Sequence, residues 1–440
     1  MHLPAEAFAR RRRALLDRLG PAAAAVFPAA PIAVRSNDVE YPYRQDNDFL
    51  YLTGFPEPEA VCLLLPGHPR EEFVLFVRPR DPERETWTGR RAGVEGALAT
   101  YGAQAAYTID KLDEKIGEYV SEREQLYCTF SRDALFNQRV VGWMRQWQQL
   151  RPRSGKGPTA VLDPAEIVHE LRLIKDDGEL ACMRKAIAIA AAGHEAALRA
   201  VHGDMYEYEI EALLDYTFRR HGAGGPAYPS IVATGANATI LHYTTNNQQL
   251  RRDELLLIDA GAEYAGYCAD ITRTFPVARA FTAPQAAIYD LVLQAQLAEI
   301  EVIRPGVRVD EPHARAVDVL VDGLLALGLL HGDRADIVSR ELYRPFYMHR
   351  TSHWLGLDVH DVGKYKLDGQ ARTLEPGMVL TVEPGLYIGA DRTDVSHEYA
   401  GIGVRIEDDV LVTATGHEVL SAAVPKRRAD IEAIRSAGAN

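Results

Sequence analysis

Four acids in this chain stand at the ends of apolar strand-like runs. Asp259 closes the run 255–258 within ELLLIDAGAEYAGYCADITRTF, and Asp270 opens the alternating stretch 271–275. Both are equidistant from a hairpin centre between Tyr264 and Ala265. Directly opposed strand residues have Cβ atoms roughly 4.5–5.5 Å apart. Two carboxylates so close repel unless a cation lies between them; two solvated turn acids are the plainer alternative. Glu383 follows the apolar run 379–382, and Glu407 ends GVRIE, with Asp408 and Asp409 expected at a turn and 410–412 returning. Arg405 is two residues from Glu407, so both point to one sheet face. Between the pairs lies HRTSHWLGLDVHD, residues 349–361, with His349, His353 and His360. A lone histidine is usually a hydrogen-bonded core residue. Three this close, with Gly356 implying a close backbone approach, place at least one on a metal and leave the others to donate protons or bind substrate.

Four carboxylates and an imidazole form a hard, oxygen-rich donor set. It favours Mn²⁺ or a similar ion over a thiolate zinc site and leaves zinc, cobalt and iron open. Four anionic groups balance two divalent ions. Ions ~3.5–4 Å apart share a bridging water whose pKa falls from about 15.7 towards 7, and they polarise a carbonyl or phosphoryl oxygen. Amide and phosphate-ester hydrolysis both stay open; the histidines and the absence of a Walker motif favour the amide.

The signature HRTSHWLGLDVHD resembles that of the proline peptidases in the pita-bread metallopeptidase family, which includes aminopeptidase P, prolidase and methionine aminopeptidase. That family's ligand order of Asp, Asp, His, Glu, Glu is matched by Asp259 (LLIDAG), Asp270 (CADITRTF), His353 (TSHWLG), Glu383 (TVEPGLY) and Glu407 (VRIEDD). The stretches YPYRQDNDFLYLTGFPEPEA and GGPAYPSIVATGANATILHY resemble bacterial aminopeptidase P rather than prolidase. The resemblance implies two divalent ions, with Asp259 on one, Asp270 and Glu407 bridging, and His353 and Glu383 on the other. A bridging hydroxide is the implied nucleophile and Glu383 the proton shuttle. It further implies that His242, His349 and His360 act around the scissile bond and that Arg405, Tyr228 and Tyr387 contact substrate. Trp87 would reach a neighbouring subunit's site. The implied activity is that of an Xaa-Pro aminopeptidase, acting on peptides with proline second. Prolidase is the alternative, and a metal-free pita-bread binding protein a remote one, since all five ligand types are present.

These residues need elements to hold them. Asp176 and Glu179 have capping-box spacing, and Leu180, Met183, Ile187, Ala191, His194 and Leu198 share a helical face. A second helix carries Ile210, Leu213, Leu214 and Phe218 and stops at Gly222. Thr282 and Gln285 start a third, with Pro284 in its first turn, and 312–327 forms a fourth. Helix, helix, strand pair, twice over, predicts a pseudo-two-fold internal repeat facing one site. The fold class is α/β (α+β): a creatinase-like N-terminal domain over 1–170, then a pita-bread catalytic domain over 171–440. The N-terminal part should contain a helix with a basic face over 5–19, buried strands over 60–65 and 73–77, an aperiodic segment 41–54 and a loop around Trp87. The segment 151–158, RPRSGKGP, is the expected linker.

The chain has 440 residues and a formal charge of −13, which argues against a nucleic-acid partner and gives no support for a membrane surface. Cys62, Cys128, Cys182 and Cys268 form no CxxC pair, as expected of core thiols in a reducing, cytoplasmic setting. Asp17 and Arg18 interrupt the only signal-like stretch. A homo-oligomer, dimer or tetramer, is expected.

Overall fold

A computed structural model describes residues 3–130 and 133–437. The chain divides into two compact units, one ending at Arg172 and the other beginning at Leu173.

The N-terminal unit is built on a six-stranded mixed sheet. In spatial order its strands are Ala105–Thr108, Phe73–Val77, Val61–Leu64, Ala23–Pro28, Gln125–Tyr127 and Ala160–Leu162. One face packs Val26, Leu63, Val74 and Phe76 against Phe136, Val140, Trp143 and Trp147 of helix Ala134–Ser154. The helical residues recur every three or four positions, the spacing of one apolar stripe.

Several sequence expectations change in this unit. The helix Ala5–Leu19 forms, but Arg11 and Arg12 are buried rather than part of a solvated basic face. Arg12 donates to the Leu52 carbonyl at 2.9 Å and lies 3.9 Å from the Phe73 ring centre, so packing and carbonyl contacts replace water. The aperiodic segment contains helix Asn47–Thr53, started by Asp46 accepting from the Phe49 N–H and ended by Gly54. Trp87 lies in the last turn of helix Pro82–Thr88, not in a loop; Asp81 caps this helix, which has no apolar stripe to betray it. RPRSGKGP is no linker. It finishes helix Ala134–Ser154, and the chain then returns as Ala160–Leu162, parallel to Gln125–Tyr127 in the same sheet.

The C-terminal unit repeats one plan. Helices Asp177–Ala200 and Glu207–Arg220 precede a first hairpin; Ala283–Val302 and Glu311–Ala326 precede a second. The capping boxes at Asp176 and Thr282 form as expected, as does the stop at Gly222.

Each hairpin runs through two sheets. In the first, Leu255–Asp259 pairs with Thr272–Pro276, and Ala262–Tyr264 pairs with Tyr267–Cys268 in the same register but in another sheet. Asp259 stands opposite Thr272, not Asp270. The turn is Ala265–Gly266, with φ of 53° and 86°, as a two-residue hairpin turn with both central residues left-handed requires. That centre lies one residue beyond the expected one, so the two aspartates become diagonal neighbours on one face. Gly261 lies where the strands change sheet; a Cβ there would sit 1.7 Å from the Ala269 carbonyl oxygen. Despite its alternating sequence, the strand Thr272–Pro276 is buried on both faces, Thr272, Arg273 and Thr274 included.

The second hairpin pairs Val379–Val382 with Asp408–Val412, then Gly385–Tyr387 with Gly403–Arg405, again in one continuous register across two sheets. Asp408 and Asp409 are not turn residues. They begin the inner strand, fully buried, because the chain stays extended through Ile406 and Glu407. Arg273 at 2.8 Å, Lys426 and Ser421 satisfy Asp408, whose pKa they hold at about 2 against the opposing effect of burial.

Candidate active site

The four acids mark the places where these strands leave one sheet for another. Asp259 is the last residue of its strand, Asp270 precedes Thr272–Pro276, Glu383 follows Val379–Val382, and Glu407 precedes Asp408–Val412. The register on either side puts Glu383 opposite Glu407. His353 comes from a segment lying along the second hairpin: its carbonyl accepts from the Thr381 N–H at 2.9 Å, and Trp354 bridges to Leu380. The Cys268 N–H donates to the Gly356 carbonyl at 2.8 Å, tying that segment to the first hairpin as well. Gly356 is required by the expected close approach, since a Cβ would lie 2.2 Å from Asp361 Oδ2.

All five side chains face one cavity of about 290 Å³, lined also by His242, His349, His360 and Arg405. His353 Nε2 lies 3.3 Å from Asp270 Oδ2 and 3.5 Å from Glu383 Oε1. Asp270, His353 and Glu407 each offer a ligand atom, all within 4.8 Å of one another. Arg405 donates to Asp259 at 2.6 Å and to the Thr272 hydroxyl at 3.2 Å, and that hydroxyl donates to Glu407 at 2.7 Å. Thr272 gave no sign of itself in the sequence; only its place opposite Asp259 puts it against Glu407.

The electrostatics are those of a site short of positive charge. Three buried carboxylates and the partly buried Glu383 meet one arginine. Burial pushes Glu407 well above the usual carboxylate range and Glu383 up to about 7, and the neighbouring acids add to both shifts. Burial opposes charge on His353 too, but Asp270 and Glu383 override it and raise its pKa to about 9. The cluster therefore holds protons where a divalent cation would balance the same charge, and its oxygen-rich donors suit one.

The remaining expected residues fall in different places. Tyr228 does not line the cavity. Its hydroxyl lies between Asp259 and Asp270, 2.5 Å from each, within the carboxylate cluster. Tyr387 is likewise behind the lining, accepting from Arg405 at 3.1 Å and lying 2.8 Å from His349 Nε2. Because Arg405 can only donate, the tyrosine proton goes to His349, whose Nδ1–H then donates to the Arg350 carbonyl at 2.8 Å. Burial lowers the His349 pKa to about 4, in keeping with this neutral ring. His242 and His360 make no hydrogen bond among the described residues. Trp87 belongs to the N-terminal unit, where it is 88% exposed.

Two residues that the sequence does not assign to the site stand behind the cluster. Glu299 is fully buried with Oε1 3.4 Å from the Ser352 hydroxyl, and Asp409 accepts from the Asp270 N–H at 3.2 Å. Glu299 sits on an ordinary helical face, so no local pattern singles it out.

Comparison with known proteins agrees with this architecture. Residues 181–414 match metallopeptidase family M24, and residues 8–127 match the aminopeptidase P N-terminal domain. The chain is 43% identical to the Xaa-Pro aminopeptidase of Escherichia coli over 97% of both chains. It is 35% identical to human Xaa-Pro aminopeptidase 3, covering 92% of this chain and 79% of the human one. The aminopeptidase PepP of Pseudomonas aeruginosa superposes with a TM-score of 0.97 at 46% identity, covering 99% of each chain. Aminopeptidase P from E. coli, solved with the inhibitor Pro-Leu, superposes at 0.96 with 42% identity, covering 100% of this chain and 99% of that one. With its acids and histidine gathered in one cavity and both domains matched in order, the chain belongs to the M24 metallopeptidase family, in the two-domain form of aminopeptidase P.

Proposed function

We propose that this protein is a metal-dependent Xaa-Pro aminopeptidase, removing the residue that precedes an N-terminal proline. The observation that carries the reading is the convergence of Asp259, Asp270, His353, Glu383 and Glu407 on one cavity, in a chain so similar to Xaa-Pro aminopeptidases. Asp259 would hold one divalent ion, Asp270 and Glu407 would bridge, and His353 and Glu383 would hold a second; the hard donor set favours Mn²⁺. When bound, such ions supply a water of lowered pKa and polarise the scissile carbonyl.

The chain's own groups do the rest. Glu383 would take a proton and return it to the departing proline nitrogen. His242 and His360, whose rings make no hydrogen bond among the described residues, are the groups that can hold the substrate's carbonyl oxygen. His349 has both ring nitrogens engaged and presents its ring to the cavity, as suits contact with a proline ring. Arg405 is buried and committed to Asp259, so it is poorly placed as the carboxylate clamp that a strict dipeptidase needs.

The N-terminal domain, to about residue 170, would shape access to the site and build a cytoplasmic homo-oligomer, dimer or tetramer. The exposed Trp87 would wall a neighbour's site. No helix among the described residues is long and apolar enough to cross a membrane. The test compares kcat/KM for Xaa-Pro, Xaa-Pro-Yaa and Xaa-Ala-Yaa, with and without chelator. Efficient, chelator-sensitive cleavage of the proline tripeptide is expected. Cleavage of the dipeptide alone would make the protein a prolidase, and equal rates for proline and alanine would remove the specificity. Sedimentation as a monomer at micromolar concentration would dispose of the Trp87 role.

A further inference from the structure

A second cavity of the C-terminal unit, of about 570 Å³, shares no lining residue with the peptidase cavity. Its wall holds Arg199, Arg252, Arg279, Arg435 and His202 and, among the described residues, no acid. In a chain of charge −13, four guanidinium groups around one hollow are a marked local reversal.

Arg435 forms a buried wall, 7% exposed. It donates to the carbonyls of Leu198, Val201, Val277 and Ala278 at 2.9, 2.6, 2.6 and 3.4 Å, and to no carboxylate among the described residues. The end of helix Asp177–Ala200 favours a cation there. Burial still lowers the Arg435 pKa, with no acid opposing it. Arg199 shares only Glu195, with both side chains about half exposed (53%). Arg252 and Arg279 have no acidic partner among the described residues. Arg252 also needs Gly203: its Cγ lies 2.7 Å from where a Cβ on that residue would be, so only glycine lets the arginine lie there.

We infer that this cavity binds a small molecule carrying phosphate groups. Guanidinium forks match phosphate oxygens in bidentate geometry. A single carboxylate would leave most of the charge along this wall unmatched, whereas a multiply charged phosphate can meet several of these groups together.

Calorimetry on the metal-loaded enzyme tests this with inorganic phosphate, pyrophosphate and ribose 5-phosphate. Each is titrated into the wild type, the double variant Arg252→Ala/Arg279→Ala and the control Arg340→Ala. Pyrophosphate also chelates metal, but equally in all three proteins, so the difference between them reports the cavity. Saturable binding is expected, weakening with added salt. It should be at least about tenfold weaker in the double variant, the loss expected of one charge-assisted pair, and unchanged in the control. Peptidase activity should be the same in all three, showing that each is folded. Tighter binding of ribose 5-phosphate than of inorganic phosphate would assign the site to organic phosphates, and the reverse to inorganic ones. Equal affinities in the wild type and the double variant, or no saturable binding of any probe at millimolar concentration, would overturn the proposal.

Discussion

The first hairpin closes on itself with the two-residue turn Ala265–Gly266, whereas the strands of the second are joined by the segment 388–402 with its short helix His397–Tyr399. The first places its aspartates diagonally; the second places its glutamates directly opposite. Yet both deliver their acids to one cavity. What they share is the change of sheet. Strands that turn from one sheet to another bend and open a gap that an uninterrupted ladder would fill, and in both hairpins the acids stand at that gap. They differ in support. Tyr228 and His194 brace the first, the latter at 2.9 Å from the Ala260 carbonyl oxygen. Arg273 braces the second by donating to the Glu407 carbonyl and to Asp408.

The strongest test of this equivalence removes one acid from each hairpin. Asp270→Ala and Glu407→Ala should each lower kcat/KM by more than roughly 10³-fold, beyond the 10²–10³ typical of one lost preorganised donor. Metal content measured by elemental analysis should fall in both. Retention of metal and activity by either variant would break the symmetry.

A smaller effect separates the supports. Thr272 donates to Glu407 at 2.7 Å, whereas Thr381 lies 3.4 Å from Glu383. Thr272→Val should weaken metal binding by about 10–100-fold, the usual cost of losing an outer hydrogen bond, and Thr381→Val by less. Metal titrations showing the opposite order would mean that the second hairpin depends more on its hydroxyl.

His194 gives the first hairpin an acid sensitivity. Burial lowers its pKa to about 4, against about 6.5 in an unfolded chain. The ring is neutral in the fold, so its contribution is complete above pH 6.5. As pH falls from 6.5 to 4 the unfolded chain binds the extra proton and stability is lost. Denaturant melts of His194→Gln, whose amide can still reach the Ala260 carbonyl, should have a flatter pH dependence in that window. An unchanged slope would acquit this histidine.

The smallest effect concerns the turn. Ala265 has φ of 53°, a left-handed conformation that alanine adopts at a cost and asparagine tolerates. Ala265→Asn should raise stability by about 0.5–1 kcal/mol, read from the denaturation midpoint with kcat/KM unchanged.

Much of the site was legible in the sequence because its signals are local. An acid ending an apolar run is visible in LLIDAG, CADITRTF, TVEPGLY and VRIEDD, and the capping boxes at Asp176 and Thr282 depend only on residues three apart. Those signals placed every acid on the right strand end, together with the helices that back them. Helix Pro82–Thr88 was not legible, since none of its seven residues is buried and they carry no periodic stripe. Nor was the burial of Asp408 and Asp409, because local polarity suggests a turn until distant partners such as Arg273 and Lys426 are known.

The sequence by itself determined the donor types, their order along the chain and the strands that carry them, since these follow from covalent order and short-range periodicity. Tertiary structure alone decided how they meet. A one-residue shift in the first turn moved Asp270 from opposite Asp259 to its diagonal. The Tyr228 hydroxyl, Arg405 and Thr272 then joined the cluster across separations of 31, 146 and 135 residues to their partners Asp259 and Glu407. Such contacts depend on sheet register and on where strands change sheet, which are fixed by packing of the whole unit rather than by any stretch of its sequence.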